Sequence, residues 1–300
     1  MKLDTMIQNV RLAQKKLLVA HIPWEEMQDK IAKYLDQNFD LLEQAYQMDT
    51  SRKLSKEKLF NQLTKEEEKP SESFRNAYGK VTHAMVPYGV IAFLSDSDIY
   101  GIFKMIVLAI QSKNGLVIHI SQNVGTGFML VEGIKGILER YGLEDLIELF
   151  HNHDEEIIEE NELFDAFVYI GKKANAERFR MATIKPVIYS GCGNYELYVE
   201  DNIDEELVDQ IAEIPNVKIF SMVPGMGQEV KSMEEAIARI EEVGSGYSVG
   251  IITRSRENAK AFVDKVKARN IFVNSSPTLV DSLDISINDL MYPKSVLVYE

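Results

Sequence analysis

Val86-Pro87-Tyr88-Gly89-Val90-Ile91-Ala92-Phe93-Leu94 is a turn followed by an unbroken apolar run. A strand with one wet face alternates apolar and polar residues. A continuous run of this length instead predicts a strand buried on both faces. Beyond it the apolar spacing becomes helical over 99–111, Asn114-Gly115 makes a turn, and 116–120 is a second buried strand. Residues 124–140 read as a helix, and Gly125, Gly127, Gly133 and Gly136 within it predict close packing on a sheet. Short strands are expected at 146–150, 166–170, 186–188 and 196–199. Strand and helix in alternation imply right-handed crossovers, hence a parallel sheet with helices on both faces.

The same rhythm returns further on. A strand over 218–222 precedes a helix over 232–242, which opens with the capping sequence Ser232-Met233-Glu234-Glu235. A strand over 247–253, a helix over 256–269 and a strand over 270–274 complete it. Upstream, Met27, Ile31, Leu35 and Leu42 recur at spacings of four and seven inside a helical region spanning 6–50, where Pro23 suits a first helical turn. Residues 53–73 are charged and polar and read as a frayed helix followed by a linker. The fold class expected is α/β: N-terminal helices with a nucleotide-binding-like parallel-sheet domain over 1–200, then a reduced second α/β domain over 201–300. The closing Ser295-Val296-Leu297-Val298-Tyr299-Glu300 reads as an apolar strand needing an edge, in its own chain or in a neighbour's.

Composition narrows the functional classes. Lys plus Arg is 33 and Asp plus Glu is 47 in 300 residues, a net charge of −14. That balance opposes binding to nucleic-acid phosphates and to anionic membrane surfaces. No apolar run is long enough to span a bilayer, and Met1-Lys2-Leu3-Asp4-Thr5 lacks the apolar core of a secretory signal. Cys192 is the single cysteine, which excludes an intrachain disulfide and a multi-cysteine metal site. The expectation is a cytoplasmic globular protein acting on a small-molecule ligand or substrate, with a homodimer as its assembly.

Several stretches together resemble the aldehyde dehydrogenase superfamily, most closely its glutamate-5-semialdehyde dehydrogenase (γ-glutamyl phosphate reductase) branch. They are Val86-Pro87-Tyr88-Gly89-Val90-Ile91, Asn114-Gly115-Leu116-Val117-Ile118, and Pro186-Val187-Ile188-Tyr189-Ser190-Gly191-Cys192-Gly193-Asn194 with Leu197-Tyr198-Val199. Glu234-Glu235-Ala236-Ile237, Gly246-Tyr247-Ser248 with Ile251-Ile252-Thr253-Arg254, and Val273-Asn274-Ser275-Ser276 follow in the family's order. The resemblance implies a Rossmann-like domain beside a second α/β domain, and NAD or NADP as cofactor. It implies an aldehyde or acyl phosphate attacked by a cysteine thiolate, the nucleophile that can both form and release a thioester.

Against that pattern three positions depart. The family cysteine lies one long helix past the loop Gly191-Cys192-Gly193, but here one short helix over 204–212 leads directly into late-family sequence. The usual nucleophile is expected to be missing with the segment that carried it. That makes the protein either an impaired oxidoreductase or a non-catalytic nucleotide- or ligand-binding protein with a structural or regulatory role. The family's oxyanion-stabilising asparagine corresponds to Tyr100, whose phenol can still donate. The family lysine on the cofactor ribose corresponds to Gln122, which can bond a hydroxyl but supplies no charge for a 2′-phosphate.

Candidate catalytic residues are therefore Cys192 and Tyr100. Cys192 also reads as a small buried packing residue. Candidate cofactor residues are Ser121 and Gln122 at the mouth of the second strand, and Gly171, Lys172 and Lys173 where a strand turns into a helix. Free N–H groups and a positive dipole end at such a turn suit a pyrophosphate. His151-Asn152-His153-Asp154 offers two imidazoles with a carboxylate beside them, but spacing suggests no further ligand. It reads as a polar loop, and no metal is expected.

Overall fold

The protein is described here by a computed structural model. It describes residues 2–20, 22–64, 72–76, 79–95, 99–120, 124–150, 161–171, 173–191, 195–201, 205–212, 217–243, 246–279 and 285–298. The chain divides into two compact units. One comprises Met1–Tyr169, Arg180–Ile188 and Ile285–Glu300; the other comprises Ile170–Phe179 and Tyr189–Asp284.

The first unit opens with helices α1 (Leu3–Val19), α2 (Trp24–Thr50) and α3 (Lys56–Asn61). The expected single helical region is thus two helices, broken at Ala20, which is extended, with Pro23 as the N-cap of α2. Strands β1 (Glu72–Asn76) and β2 (Gly79–Pro87) come next, the first of them beginning inside the expected linker. They pair antiparallel, from Glu72↔His83 to Asn76↔Gly79. The elements that follow are β3 (Val90–Ser95), α4 (Ile99–Gln111), β4 (Gly115–Ile120), α5 (Val124–Leu138), β5 (Ile147–Phe150), β6 (Ala166–Ile170), α6 (Lys173–Ala182) and β7 (Val187–Ser190). Helix α6 is divided between the two units, after Phe179. The sheet has the order β5-β4-β3-β6-β7. Every residue of β3, β4 and β6 is buried, as the unbroken apolar runs require.

Glycines and one buried amide set the closest approaches. A Cβ on Gly115 would collide with the Val10 side chain of α1, and one on Gly127 would stand 2.7 Å from Ile120. Gly115 and Ile120 are an odd number of residues apart on β4, so α1 and α5 cover opposite faces of the sheet. The glycines of α5 do not all serve the sheet. Gly133 instead admits the Tyr34 ring of α2, and Gly136 faces open space. Asn114 is fully buried; its Oδ1 accepts the Gly89 N–H at 2.9 Å and its Nδ2 donates to the Leu290 carbonyl at 2.9 Å. Asp165 accepts from the Val90 N–H (2.7 Å) and from Arg11 (2.8 Å), and its carboxylate occupies the space that a side chain at Gly89 (φ 129°) would need.

The second unit holds β8 (Tyr195–Val199), α7 (Glu205–Ala212), β9 (Val217–Ser221), β10 (Gln228–Glu229), α8 (Met233–Val243), β11 (Ser248–Ile252), α9 (Arg256–Lys265) and β12 (Asn270–Val273). Its five strands are parallel in the order β10-β9-β8-β11-β12. Tyr198, Phe220, Val249 and Ile251 pack with Ala236 and Ile240 of α8 and Phe262 of α9; Leu197, Val199 and Ile252 pack on the other face with Val208 and Ile211 of α7. Ser232 caps α8 by accepting the Glu235 N–H, while Glu235 reaches back to the Lys231 N–H rather than to that of Ser232. Helix α9 stops at Lys265, short of the expected 269. Val266 turns extended and is buried, and the following backbone is held by Arg269 N–H to Gly246 O and Asn270 N–H to Tyr247 O.

The last strand, β13 (Met291–Val298), pairs antiparallel with β2 of its own chain, from Met291↔Pro87 to Val298↔Lys80. A three-stranded sheet β1-β2-β13 results.

Candidate functional site

In the first sheet β4 and β5 lie to one side of β3, and β6 and β7 lie to the other. The order therefore reverses between β3 and β6, and in an open α/β sheet ligands bind outside the carboxyl ends of the strands at such a reversal. Tyr100 stands in the first turn of α4, shortly after β3, and Gly171 follows β6 directly.

Tyr100 has a local partner. Its phenol oxygen accepts the Ser55 N–H at 2.7 Å, its ring meets Tyr46 edge-on at 6.3 Å, and Lys58 Nζ lies 5.9 Å from the ring centre. Ser55 in turn caps α3 by accepting the Lys58 N–H. Tyr100 therefore ties the start of α3 to the start of α4. Gly171 has φ 156°, and both its backbone polar groups are engaged: N–H donates to Ser190 O at 3.2 Å and C=O accepts the Tyr189 hydroxyl at 3.1 Å. Lys173 is the first residue of α6. Ser121, Gln122, Lys172 and Cys192 lie outside the described residues, as does the whole run His151-Asn152-His153-Asp154. Among the described residues no group of three His, Cys, Asp or Glu side chains is placed to hold a metal ion.

The second sheet reverses between β8 and β11, and there a polar network fills the strand ends. Glu200, 8% exposed, is the first residue past β8. It accepts from Thr253 Oγ1, just past β11, and from Asn258 Nδ2 of α9 at 2.7 Å. Thr253 Oγ1 also accepts the Ser255 N–H at 3.0 Å, and the Thr253 N–H donates to Asn274 Oδ1, just past β12, at 2.9 Å. The carboxyl ends of three strands are joined around a buried carboxylate that accepts from a neutral hydroxyl and a neutral amide. Sequence reasoning missed this network. Its signal was a polar residue immediately after each apolar strand: Glu200, Thr253 and Asn274. Nearby, Tyr198 stacks on Phe262 at 5.9 Å and its hydroxyl meets Met222 Sδ at 3.1 Å. Burial, then the charges of Glu200, Asp201 and Glu234, push the Tyr198 phenol well above its ordinary range.

No protein-family model matches the chain. Among curated relatives, gamma-glutamyl phosphate reductase of Alkaliphilus oremlandii is 25% identical over 268 residues, covering 67% of this chain and 64% of the relative. The enzyme of the same name from Kosmotoga olearia is 20% identical over 266 residues, with the same shares. The matched region thus spans just under two thirds of these relatives' length. Among solved structures, gamma-glutamyl phosphate reductase of Thermotoga maritima superposes with a TM-score of 0.65 at 17% identity, covering 100% of this chain and 99% of that one. A point mutant of propionaldehyde dehydrogenase from the Clostridium phytofermentans fucose utilisation microcompartment gives 0.73 at 11% identity, with 99% and 97% covered. Glyceraldehyde-3-phosphate dehydrogenase of Methanocaldococcus jannaschii, complexed with NADP, gives 0.70 at 12%, with 99% and 94% covered. The chain has the aldehyde dehydrogenase fold and is a low-identity homologue of the gamma-glutamyl phosphate reductases.

Proposed function

We propose that this protein is a shortened aldehyde dehydrogenase-like chain that keeps the nucleotide-binding half of an NAD(P)-linked oxidoreductase and has lost turnover on an aldehyde or acyl phosphate. The observation that carries the reading is internal. The match to the Alkaliphilus oremlandii reductase runs over 268 positions but uses 67% of this 300-residue chain, about 200 residues, so dozens of the relative's positions have no counterpart here. The short passage from α7 to β9 fits a deletion there, which would remove the segment on which the family carries its thiolate. Cys192, between β7 and β8 in sequence, is then the single thiol left.

The fit to a nicotinamide dinucleotide rests on topology and donor chemistry. The first sheet reverses order between β3 and β6, and α6 is a ten-residue helix opening at Lys173. Lys172 and Lys173 would supply cations for a pyrophosphate. Ser121 and Gln122 would supply hydroxyl and amide groups for a ribose of NAD or NADP. The Gly171 N–H, bonded to Ser190 O, is not among the donors. When bound, the dinucleotide would supply a hydride acceptor or donor; the chain's own part is to hold it. The proposal includes a cytoplasmic homodimer, supported by the outer edge of β13, which carries no strand among the described residues and exposes Val296 and Leu297. No helix among the described residues is long and apolar enough to cross a membrane.

The test is a pair of measurements on wild type and Cys192→Ala. NAD is expected to raise the melting temperature of both, by mass action. Neither is expected to reduce the nucleotide with aldehydes or to oxidise NADH or NADPH with acyl phosphates. Turnover that disappears in Cys192→Ala would restore a displaced nucleophile, and the absence of any nucleotide-dependent stabilisation would remove the binding reading.

A further inference from the structure

Helix α5 takes its N-terminal cap from another helix. Asp49, in the last turn of α2, accepts the Thr126 N–H at 2.8 Å and the Thr126 hydroxyl at 2.7 Å, both with Oδ2. Thr126 is the third residue of α5, whose N–H an N-cap side chain would ordinarily hold. A carboxylate is disfavoured at the C-terminus of α2, where no basic residue offsets it, and is favoured at the N-terminus of α5. The two bonds fix the carboxylate and leave its other oxygen, Oδ1, without a donor among the described residues. Gly125 keeps the approach to that oxygen open, because a Cβ there would stand 3.2 Å from Oδ1. Both Asp49 and Gly125 are exposed, so a ligand can reach the carboxylate.

In a dinucleotide-binding sheet an acidic side chain past the second strand accepts the ribose 2′-hydroxyl of NAD, whereas a cation there accommodates the 2′-phosphate of NADP. Residues 121–123, between β4 and α5, contain no acid. We propose, resting on the nucleotide-binding role above, that Asp49 supplies the missing acid from α2. Its Oδ1 accepts the 2′-hydroxyl and its charge turns a 2′-phosphate away, so the chain prefers NAD. One helical turn, about 5.4 Å, separates the start of α5 from the next turn, which lies within the Debye length of about 8 Å at physiological salt. The repulsion therefore acts at the first turn of α5, and added salt weakens it because Asp49 is exposed.

The full chain is titrated with NAD and with NADP by isothermal calorimetry, and the ratio of the two dissociation constants is read. NAD is expected to bind at least about tenfold more tightly, and added sodium chloride is expected to narrow the ratio. Asp49→Asn keeps an acceptor for the Thr126 N–H and removes the charge. Its ratio is expected to fall to about threefold or less, chiefly because NADP binds better. A circular dichroism spectrum matching wild type shows that the variant is folded, and a residue that only caps α5 would leave the ratio where it was. Equal affinities in wild type, or an unchanged ratio in Asp49→Asn, would overturn the proposal while the nucleotide-binding role stands. A preference for NADP would also overturn it and point to Arg52 or Lys53, the cations next along the chain. Binding of neither nucleotide would remove the nucleotide-binding role itself, and this assignment with it.

Discussion

Thr253→Val tests whether the second sheet's strand ends are held by the buried carboxylate. Valine keeps the shape of threonine and removes one hydroxyl that makes two bonds, donating to Glu200 and accepting the Ser255 N–H at 3.0 Å. Glu200 is 8% exposed, so water cannot readily replace the lost donor, and the Asn258 amide at 2.7 Å remains. Hydrogen bonds to a charged group contribute roughly 1.5–3 kcal/mol, and the Ser255 N–H is only half-buried and can be rehydrated. The expected cost of Thr253→Val is therefore about 2 kcal/mol. Glu200→Gln removes the charge of the acceptor while keeping its shape, so the same valine substitution made in that background should cost about 1 kcal/mol or less. The assay is urea unfolding by far-ultraviolet circular dichroism on the four proteins of the cycle, with unchanged m values as the control. Additivity of the two substitutions within about 0.3 kcal/mol would show that the hydroxyl and the carboxylate act independently, and would refute the network as the clamp.

Gly133→Ala and Gly136→Ala lie one turn apart on α5 and should have opposite signs. The first drives a Cβ into the Tyr34 ring and disturbs its bond to Met129 O, costing about 1–3 kcal/mol by overpacking; the second meets nothing within 4 Å and should stabilise by up to about 1 kcal/mol, both read by thermal unfolding. Burial raises the Glu148 carboxyl above its ordinary 4.5 despite the bond from Lys135. Folding therefore favours the protonated form: the contribution is complete below 4.5 and is lost as pH rises through the folded value. Glu148→Gln should shrink the loss of urea stability between 4.5 and neutrality, and an unchanged slope would contradict the assignment. Tyr100→Phe orphans the Ser55 N–H and should cost about 1–2 kcal/mol in unfolding experiments; an unchanged stability would show that the link between α3 and α4 is idle.

Much of the fold was legible because burial on both faces leaves a plain trace. The runs at β3, β4 and β6 are continuous and apolar, and each is a fully buried strand. The helix over 99–111 and the cap at Ser232 follow from spacing and from local side-chain bonds, which need no distant partner. Less was legible where a residue's meaning depends on something far away in the chain. Strands β1 and β2 are strands because β2 is paired on both sides, by β1 and by β13 more than 200 residues later. The four glycines of α5 look alike in sequence, yet one faces the sheet, another a tyrosine of α2, and another open space.

The candidate sites divide in the same way. Sequence alone determined which chemistry is on offer: one thiol at Cys192, a phenol at Tyr100, an amide at Gln122, lysines at 172 and 173, and a net charge of −14. Those are properties of the side chains themselves, and the order of the motifs carries the family resemblance. Tertiary structure decided which of those groups are already engaged. The Gly171 N–H is taken by Ser190, the Tyr100 oxygen by Ser55, and Glu200, Thr253, Asn258 and Asn274 become one network only when three strand ends and a helix meet. A hydrogen bond between residues dozens of positions apart has no local signature, because the donor and acceptor become neighbours only through the folding of the chain between them.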